Sequence, residues 1–289
     1  MEARELRIGL VQMTCDADPT KNLAKATARV EEAAIRGAEV ICLQELYRSH
    51  YPCQSEDNSQ FDLAEPIPGP TTEILGRVAA ARKVSIIAPI FERRAAGVYH
   101  NSAVVLDRSG AVTGHYRKMH IPDDPGYYEK FYFTPGDLDF VAHRTADTSV
   151  GVLICWDQWF PEAARLTALA GAQVIFYPTA IGWTADMDEH TRARLYDGWA
   201  TIQRSHAIAN GVFVAAVNRT GVEGEIQFWG GSFVSDPFGE VLARASHADE
   251  EILIVDCDLG RIEQTRRNWP FLRDRRIDAY QDLTRRYRS

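Results

Sequence analysis

Long hydrophobic runs and close cysteine pairs are both missing from this sequence. No stretch of about 18 uninterrupted apolar residues occurs among its 289 residues, so a membrane-spanning helix is not expected. The cysteines are odd in number and far apart, they form no C-x-x-C pair, and no secretory signal stands ahead of them. This pattern favours a reducing cytoplasm for the cysteines, which are Cys15, Cys42, Cys53, Cys155 and Cys257.

The sequence also lacks the paired cysteines of a structural zinc site. His100, His115 and His120 fall in segments that are more simply interpreted as strands and loops than as ligand sets. We therefore expect neither a metal nor a cofactor.

An excess of positive charge is absent as well. The net charge of −8 disfavours a nucleic acid or an anionic membrane as partner. Arginine is locally frequent from Arg261 to Arg288, and aromatic residues accompany it between Trp269 and Tyr287. We interpret residues 268–289 as a tail that makes subunit contacts, which predicts a homo-oligomer, at least a dimer. The segment Ile277–Arg286 is expected to be helical.

Apolar strands alternate with amphipathic helices along the chain. Early examples are the strand Leu6–Met13, the helix opened by Asp18-Pro19-Thr20 and the strand Glu39–Leu43; a later one is the long helix Thr191–Asn210. No internal repeat, low-complexity segment or linker divides the sequence, and 45% of its residues are hydrophobic. The pattern predicts one α/β domain over residues 1–289.

The stretch from Val150 to Glu162 predicts a buried strand, a sharp turn and the start of a helix. Cys155 lies at the end of that strand, and Pro161 suits the first turn of the helix. A thiol near the free N–H groups of a helix start is expected to ionise more easily, as a nucleophile needs. The alternative is an ordinary buried core cysteine.

Two further strand ends carry charged residues. Glu45 follows the strand that ends at Leu43, and Lys118 follows the second arm of a hairpin. Each residue alone would more simply be a solvated side chain. Because strand ends of one sheet system can meet in one pocket, an acid, a cation and the Cys155 thiol together indicate a hydrolase.

The local sequence around these residues resembles the nitrilase superfamily of carbon–nitrogen hydrolases. The matching motifs are Q-E-L at Glu45, Y-R-K-x-H at Lys118 and I-C-W-D at Cys155, followed by Y-P-T-A-I-G, V-N-R and W-P-F-L-R-D-R-R. Their order and spacing cover nearly the whole chain. The resemblance implies a four-layer α-β-β-α sandwich and a Glu-Lys-Cys triad.

The resemblance also implies roles for other positions. Glu129 corresponds to a second glutamate that positions the lysine or the substrate, although an ordinary loop salt bridge is the alternative. Oxyanion or substrate binding is expected from Trp156, Asp123, Asp124, Tyr128 and Ala180.

Within the superfamily, the segments C-W-D-Q-W-F-P-E and I-P-D-D-P-G-Y-Y-E-K-F-Y-F are most similar to the N-carbamoylputrescine amidases. This similarity implies a carbamoyl amine as the small-molecule substrate. Relatives that act on N-carbamoyl-D-amino acids carry arginines just after the cysteine, whereas this chain has Trp156 to Trp159 there. Asp124 departs from the pattern, since glycine is usual at that position.

Other interpretations remain open at the level of sequence. The substrate could instead be another carbamoyl amine or amino acid, as in β-ureidopropionases, or the amide of an aliphatic or omega-amidase. A Cys-His hydrolase using His120 or His206 is the nearest mechanistic rival. A catalytically silent interaction protein on the same fold is the non-enzymatic alternative.

Overall fold

The computed structural model describes residues 5–145 and 148–288, so both ends of the expected 1–289 domain and residues 146–147 lie outside the described residues. The strands are β1 (Glu5–Gln12), β2 (Val40–Leu43), β3 (Ser85–Ala95), β4 (Val98–Leu106), β5 (Val112–Arg117), β6 (Ala142–Arg144), β7 (Ser149–Val152), β8 (Val174–Thr179), β9 (Gly182–Thr184), β10 (Phe213–Asn218), β11 (Thr220–Glu223), β12 (Ile226–Trp229), β13 (Phe233–Ser235), β14 (Val241–Arg244) and β15 (Glu251–Asp258). The helices are α1 (Pro19–Ile35), α2 (Pro70–Arg82), α3 (Glu129–Tyr132), α4 (Pro161–Leu169), α5 (Glu189–Asn210) and α6 (Gly260–Asn268).

Two large mixed sheets form the centre of the molecule. Among the described residues, the first sheet has the strand order β15-β1-β2-β3-β4-β5 and the second has the order β14-β13-β10-β8-β7-β6. In the first sheet β2 is parallel to β3, whereas β4 is antiparallel to both β3 and β5. The carboxyl ends of β2 and β5 and the amino end of β4 therefore lie at the same edge.

The two sheets pack face to face, and helices cover their outer faces. Leu10 and Ile87 of the first sheet share one fully buried cluster with Val174 and Val214 of the second. A second cluster packs Ile86 and its neighbours beneath α1 and α2, and α4 and α5 pack on the other sheet. The layers form because the apolar faces of sheets and helices must be buried against one another. This layering confirms the predicted α-β-β-α sandwich.

Local sequence signals account for where the helices begin. The Asp18 side chain accepts a hydrogen bond from the Thr20 N–H ahead of α1, and Pro19 occupies its first turn. Asp188 caps α5 in the same way, through the Thr191 N–H at 2.6 Å. Each cap satisfies a backbone donor that the helix itself leaves unpaired. Among the described residues, no helix is both long and apolar enough to cross a membrane.

The structure differs from the sequence-based expectation in two segments. Residues Ile277–Ala279 and Gln281–Thr284 form separate 3₁₀ turns, so the helix predicted over Ile277–Arg286 is wrong. Ile277 and Leu283 are largely exposed, and a short helix without a buried face is marginally stable in water. The second segment is 178–189, at and after the end of β8, for which the sequence predicts a loop; it contains β9, which joins β12 and β11 in a small antiparallel sheet.

A buried ion pair fixes the end of β5, directly before Lys118. Two nitrogens of the Arg117 guanidinium donate to the two carboxylate oxygens of Glu92, at 2.8 and 2.6 Å. Ser102 donates to the same carboxylate at 2.6 Å, and His115 lies 3.2 Å from it. Burial alone would raise the pKa of Glu92, but these hydrogen bonds outweigh it and hold the pKa well below its ordinary value.

We predict that Glu92→Gln lowers the stability of the fold by about 2–3 kcal/mol near pH 7, because the buried Arg117 would lose its buried charged partner and keep only the half-exposed carboxylate of Asp137. The folded-state pKa of Glu92 is depressed, so its contribution is present above the unfolded value of about 4.3 and is lost as the pH falls. Thermal unfolding at pH 7 and pH 3 measures this difference. The deficit of the variant should shrink at pH 3.

The matched control is Glu32→Gln, which removes a carboxylate from the exposed pairs with Arg29 and Arg36. It should change stability little at either pH, since exposed pairs contribute at most about 1 kcal/mol. An equal deficit of Glu92→Gln at both pH values would contradict the role given to this ion pair.

Candidate active site

Cys155 lies at a strained elbow between the second sheet and α4. Strand β7 ends at Val152, and residues Cys155–Trp159 form a 3₁₀ turn before α4 begins at Pro161. Cys155 has a φ of 42°, which costs a non-glycine residue about 1–3 kcal/mol. Strain of this kind persists only where neighbouring contacts hold it, and the Cys155 side chain stays buried at this elbow.

Asp157 supplies those contacts. One of its oxygens accepts hydrogen bonds from the Ile154 N–H at 2.9 Å and the Tyr116 hydroxyl at 2.7 Å. The other accepts from the His120 N–H at 3.0 Å and lies 2.7 Å from His120 Nδ1. Tyr116 and His120 flank Lys118 in the chain, so Asp157 ties the cysteine elbow to the segment that carries the lysine.

The pKa of Cys155 differs from the sequence-based expectation. Burial raises it well above its ordinary value, the Glu45 carboxylate raises it further, and Lys118 lowers it only in part. A 3₁₀ turn stands between Cys155 and the start of α4 at Pro161, so the cysteine does not belong to the first turn of that helix, where the helix dipole acts most strongly. The resting thiol is therefore protonated, and ionisation requires a base.

Glu45 is the candidate for that base, since its charge acts on the Cys155 thiol. Glu45 Oε1 accepts hydrogen bonds from Lys118 Nζ at 2.8 Å and from Asn101 Nδ2 at 2.7 Å. Glu45 Oε2 is buried and, among the described residues, has no hydrogen-bond partner. Because a buried carboxylate oxygen without a donor is costly, this oxygen is a ready acceptor for a proton.

Lys118 is held between two carboxylates. Its Nζ donates to Glu129 Oε1 and Oε2 at 2.8 and 2.7 Å, in addition to Glu45. Burial would lower the pKa of this ammonium, but Glu129 and Glu45 raise it well above its ordinary value. Burial, together with the charge of Glu45, raises the pKa of Glu129, which Lys118 lowers only in part. Lys118 therefore stays charged at neutral pH.

Asn101 and Tyr51 complete the hydrogen bonding of the carboxylates, and sequence reasoning missed both. Asn101 lies near the amino end of β4, which reaches the site edge only because β4 runs antiparallel to its neighbours. The Tyr51 hydroxyl donates to Glu129 Oε1 at 2.7 Å from within a proline-punctuated loop. Neither residue ends a predicted strand, so the strand-end rule could not find them.

The residues expected to bind the oxyanion or substrate fall into two groups. The Ala180 backbone lowers the pKa of the Cys155 thiol, which places its N–H near the sulfur, and Ala180 is fully buried. Trp156 is half-buried. The first hydrogen bond inside the 3₁₀ turn runs from the Asp157 N–H to the Ile154 carbonyl oxygen at 3.1 Å, so this bond does not use the Trp156 N–H. The Ala180 N–H lies just before β9, and the Trp156 N–H lies inside the 3₁₀ turn that begins at Cys155.

The second group lies in the loop after Lys118. Tyr128 is half-buried and its N–H donates to the Cys53 carbonyl at 2.8 Å. Asp123 and Asp124 are exposed, and in the part of the chain that the structure describes neither carboxylate forms a hydrogen bond or ion pair. The structure thus brings Glu45, Lys118, Glu129 and Cys155 together but leaves these acids at the surface.

Tyr127 contacts the site more closely than the sequence indicated. Its hydroxyl accepts a hydrogen bond from the Gly182 N–H at 3.0 Å, and its ring lies 5.6 Å from the ring of Tyr51. Burial raises the pKa of Tyr127, with further increases from the Cys155, Glu45 and Glu129 charges. No sequence signal separated it from the adjacent Tyr128.

The rival Cys-His arrangement is not formed by either candidate histidine. His120 pairs with Asp157, and its ring stacks on Phe160 with centroids 3.7 Å apart. His206 Nε2 lies 2.8 Å from the carbonyl oxygen of Gln158. Both rings are therefore engaged beside the elbow and not with the thiol.

Comparisons with known proteins agree with this geometry. The family model described as "Carbon-nitrogen hydrolase" matches residues 7–267. An N-carbamoylputrescine amidase of Solanum lycopersicum is 41% identical over 97% of this chain and 95% of its own length. A citrullinase of Francisella tularensis subsp. tularensis is 37% identical over 98% of this chain and 99% of its own.

A solved structure extends the likeness to three dimensions. The crystal structure of a carbon–nitrogen hydrolase from Helicobacter pylori G27 has a TM-score of 0.95 and 46% identity, covering 99% of this chain and 100% of that one. Sequence, fold and the arrangement of acid, lysine and cysteine thus lead to one assignment. The chain belongs to the carbon–nitrogen hydrolase family, the nitrilase superfamily, whose members hydrolyse carbon–nitrogen bonds other than peptide bonds.

Proposed function

We propose that this enzyme hydrolyses N-carbamoylputrescine to putrescine, carbon dioxide and ammonia through a thioester on Cys155. The observation that carries the chemistry is that Glu45 Oε1 pairs with Lys118 while, among the described residues, Glu45 Oε2 has no hydrogen-bond partner and the Glu45 charge acts on the Cys155 thiol. The 41% identity to an N-carbamoylputrescine amidase supports the substrate. Five free cysteines support a reducing cytoplasm, where the product would enter polyamine synthesis.

Acylation begins with proton transfer from the Cys155 thiol to Glu45 Oε2. The thiolate attacks the ureido carbon, a C–S bond forms, and the C=O electron pair moves to oxygen. Lys118 and the Trp156 N–H stabilise this oxyanion, and one such donor contributes about 3–4 kcal/mol in other enzymes. Lys118 needs no proton transfer for this step, because its pKa stays well above neutral.

Collapse of the tetrahedral intermediate breaks one carbon–nitrogen bond. Glu45 returns its proton to the departing nitrogen and becomes a carboxylate again. It then takes a proton from a water molecule that attacks the thioester, and a second collapse breaks the C–S bond and returns that proton to the Cys155 sulfur. The product released is a carbamic acid, which loses carbon dioxide and leaves the second nitrogen as a free amine or ammonia. Glu129, with both oxygens on the Lys118 ammonium, holds the cation in place through both halves of the reaction.

A citrulline-like substrate is the second candidate, since the citrullinase relative is 37% identical. The two substrates share the ureido group and differ at the far end, where putrescine carries only an ammonium. Asp157 and Gln158 after the cysteine are buried and hydrogen-bonded within the protein, so neither they nor the flanking tryptophans supply a cation for a carboxylate. The exposed acids Asp123 and Asp124 favour an ammonium instead.

We predict that Cys155→Ala and Cys155→Ser abolish turnover while leaving the fold intact, because Cys155 forms the covalent bond and both side chains fit the elbow. Ammonia release and circular dichroism measure the two properties. Iodoacetamide should label Cys155 before the other cysteines, of which Cys42 and Cys53 are fully buried. Full activity of either variant would refute a covalent route through this residue.

We predict that Asp123→Asn lowers kcat/KM for N-carbamoylputrescine by roughly tenfold and leaves that for butylurea nearly unchanged. A charged hydrogen bond to the distal ammonium contributes about 1.5–3 kcal/mol. Butylurea has no ammonium, so it cannot form this bond and its kcat/KM does not depend on it. Ammonia release from these two compounds and from citrulline gives the comparison, with Glu73→Gln, an exposed acid in the first turn of α2, as the control.

The panel also tests the substrate itself. Equal losses on both compounds would mean that Asp123 shapes the loop without contacting the amine. Faster turnover of citrulline than of N-carbamoylputrescine by the unmodified enzyme would replace the proposed substrate with an amino acid.

We also propose that the chain forms the expected homo-oligomer through an interface made by α4 and the tail, residues 268–289. Exposed apolar side chains concentrate there, whereas most of the surface is polar; they are Leu166, Leu169, Trp269, Phe271, Tyr280 and Leu283. A patch of this kind is typical of a protein–protein contact, and subunit contact would also bury the exposed 3₁₀ turns of the tail.

We predict that light scattering at micromolar concentration gives at least twice the 32.4 kDa mass of one chain. Leu169→Asp should reduce the mass, because it places a charge in the proposed interface. Ile35→Asp is the matched control, since Ile35 is an exposed apolar residue at the end of α1 on the opposite layer. A monomer mass for the unmodified protein would refute the proposed assembly.

A further inference from the structure

The fully buried Arg219 is the residue that most closely joins the second sheet to the loop carrying Glu45. It follows β10 directly, and its guanidinium donates to the carbonyl oxygens of Glu45 at 3.0 Å, Leu46 at 2.7 Å and Ser49 at 3.1 Å. It also donates to both carboxylate oxygens of Glu223, at 2.9 and 2.8 Å. The guanidinium contacts the backbone of Glu45 and not its carboxylate, so it takes no part in proton transfer.

The backbone that Arg219 holds is strained. Leu46, the residue after Glu45, has a φ of 46°, a left-handed conformation that a branched residue rarely adopts. The carbonyl groups of Glu45 and Leu46 stand on either side of the Leu46 φ and ψ bonds. Both accept hydrogen bonds from the same guanidinium nitrogen, Nη2 of Arg219. Relaxation of Leu46 would rotate the Glu45 peptide and move the carboxylate away from Lys118.

Glu223 connects Arg219 to Glu129, the other carboxylate that pairs with Lys118. Its Oε2 accepts a hydrogen bond from the Tyr51 N–H at 2.6 Å. The Tyr51 hydroxyl in turn donates to Glu129 Oε1 at 2.7 Å. One buried ion pair therefore reaches Glu45 through its backbone and Glu129 through Tyr51, on the two sides of the Lys118 ammonium.

The shape of the side chain matters as much as its charge. Burial would lower the pKa of Arg219, but the Glu223 and Glu45 charges contribute to a raised value, so the guanidinium remains protonated. A planar guanidinium can direct separate N–H groups at three carbonyls and a carboxylate at once. A lysine ammonium carries the same charge but has three donors at one point, so it cannot make all of these contacts.

We propose that Arg219 and Glu223 form a positioning pair that sets the relative placement of the base Glu45 and the carboxylate Glu129 around Lys118. This inference rests on the proposed function, because it takes Glu45 as the base that ionises Cys155. Neither member touches the reacting atoms. Their effect is to hold Glu45 Oε2 where it can accept the thiol proton.

The test uses Arg219→Lys, Arg219→Met and Glu223→Gln in the full-length enzyme. We expect kcat to fall by roughly tenfold or more in each, because a displacement of about 1 Å of a catalytic group costs up to a hundredfold. KM should change by less than about threefold, since the pair does not contact substrate. The rate of iodoacetamide labelling of Cys155 should fall in parallel with kcat, because both depend on the same proton transfer.

Ile86→Ala controls for loss of stability alone. Ile86 is fully buried between the first sheet and the helices α1 and α2, away from Lys118 and Cys155. This variant should lower the unfolding temperature while kcat and the labelling rate remain at the level of the unmodified enzyme. Glu223→Gln keeps one acceptor oxygen and the size of the side chain, so it provides a folded variant if Arg219→Met does not fold.

The outcomes separate the two hypotheses. If iodoacetamide does not label Cys155 preferentially in the unmodified enzyme, the proposed function fails. If labelling is normal there and Arg219→Lys or Glu223→Gln retains full kcat and labelling rate, the positioning role is overturned. If Ile86→Ala lost as much kcat as Arg219→Lys at a similar drop in unfolding temperature, the pair would likewise be reduced to a structural one.

Discussion

A single buried ammonium, that of Lys118, is the constraint on which the rest of the site depends. It has two carboxylate neighbours, Glu45 and Glu129, and their charges keep it protonated where burial alone would favour the neutral amine. The same ammonium donates a hydrogen bond to Glu45 Oε1, so that oxygen already has a partner. Within the described part of the chain the second Glu45 oxygen has no hydrogen-bond partner, and the Glu45 charge, together with burial, raises the pKa of the Cys155 thiol. The charge pattern thus prepares a proton transfer without ionising the cysteine in advance.

The fold meets this requirement by straining the backbone at two points. Leu46 and Cys155 both adopt positive φ, and each is held by buried polar groups from elsewhere in the chain: Arg219 for the first and Asp157 for the second. Because two separate sheets deliver the acid and the thiol, their alignment depends on such contacts across the sheets. The apolar core fixes how the layers pack, but polar contacts determine the positions of individual side chains.

Much of the fold was predictable from local pattern. The alternation of strands and helices gave the α/β class, and strand ends identified Glu45, Lys118 and Cys155, which the structure brings together around one ammonium. Helix starts at Pro19 and Pro161 followed from capping and proline rules. These features depend on neighbours in sequence, which a single chain displays directly.

The features that could not be predicted depend on tertiary contacts. Asn101 reaches the site through an antiparallel strand, and the link from Glu223 to Glu129 runs through the backbone N–H and the hydroxyl of Tyr51. The raised pKa of Cys155 arises from burial, which no local pattern gives, and it reversed the expected direction of the shift. The helix expected over Ile277–Arg286 failed because its apolar face has nothing to pack against in one chain.

The most direct test of the account is a crystal structure of the Cys155→Ala variant soaked with N-carbamoylputrescine. The account predicts that the ureido oxygen accepts hydrogen bonds from Lys118 Nζ and the Trp156 N–H. A ureido nitrogen should face Glu45 Oε2, and the ureido carbon should lie above the methyl group that replaces the thiol. A ureido group bound away from Lys118, or turned so that its oxygen faces Glu45, would contradict it.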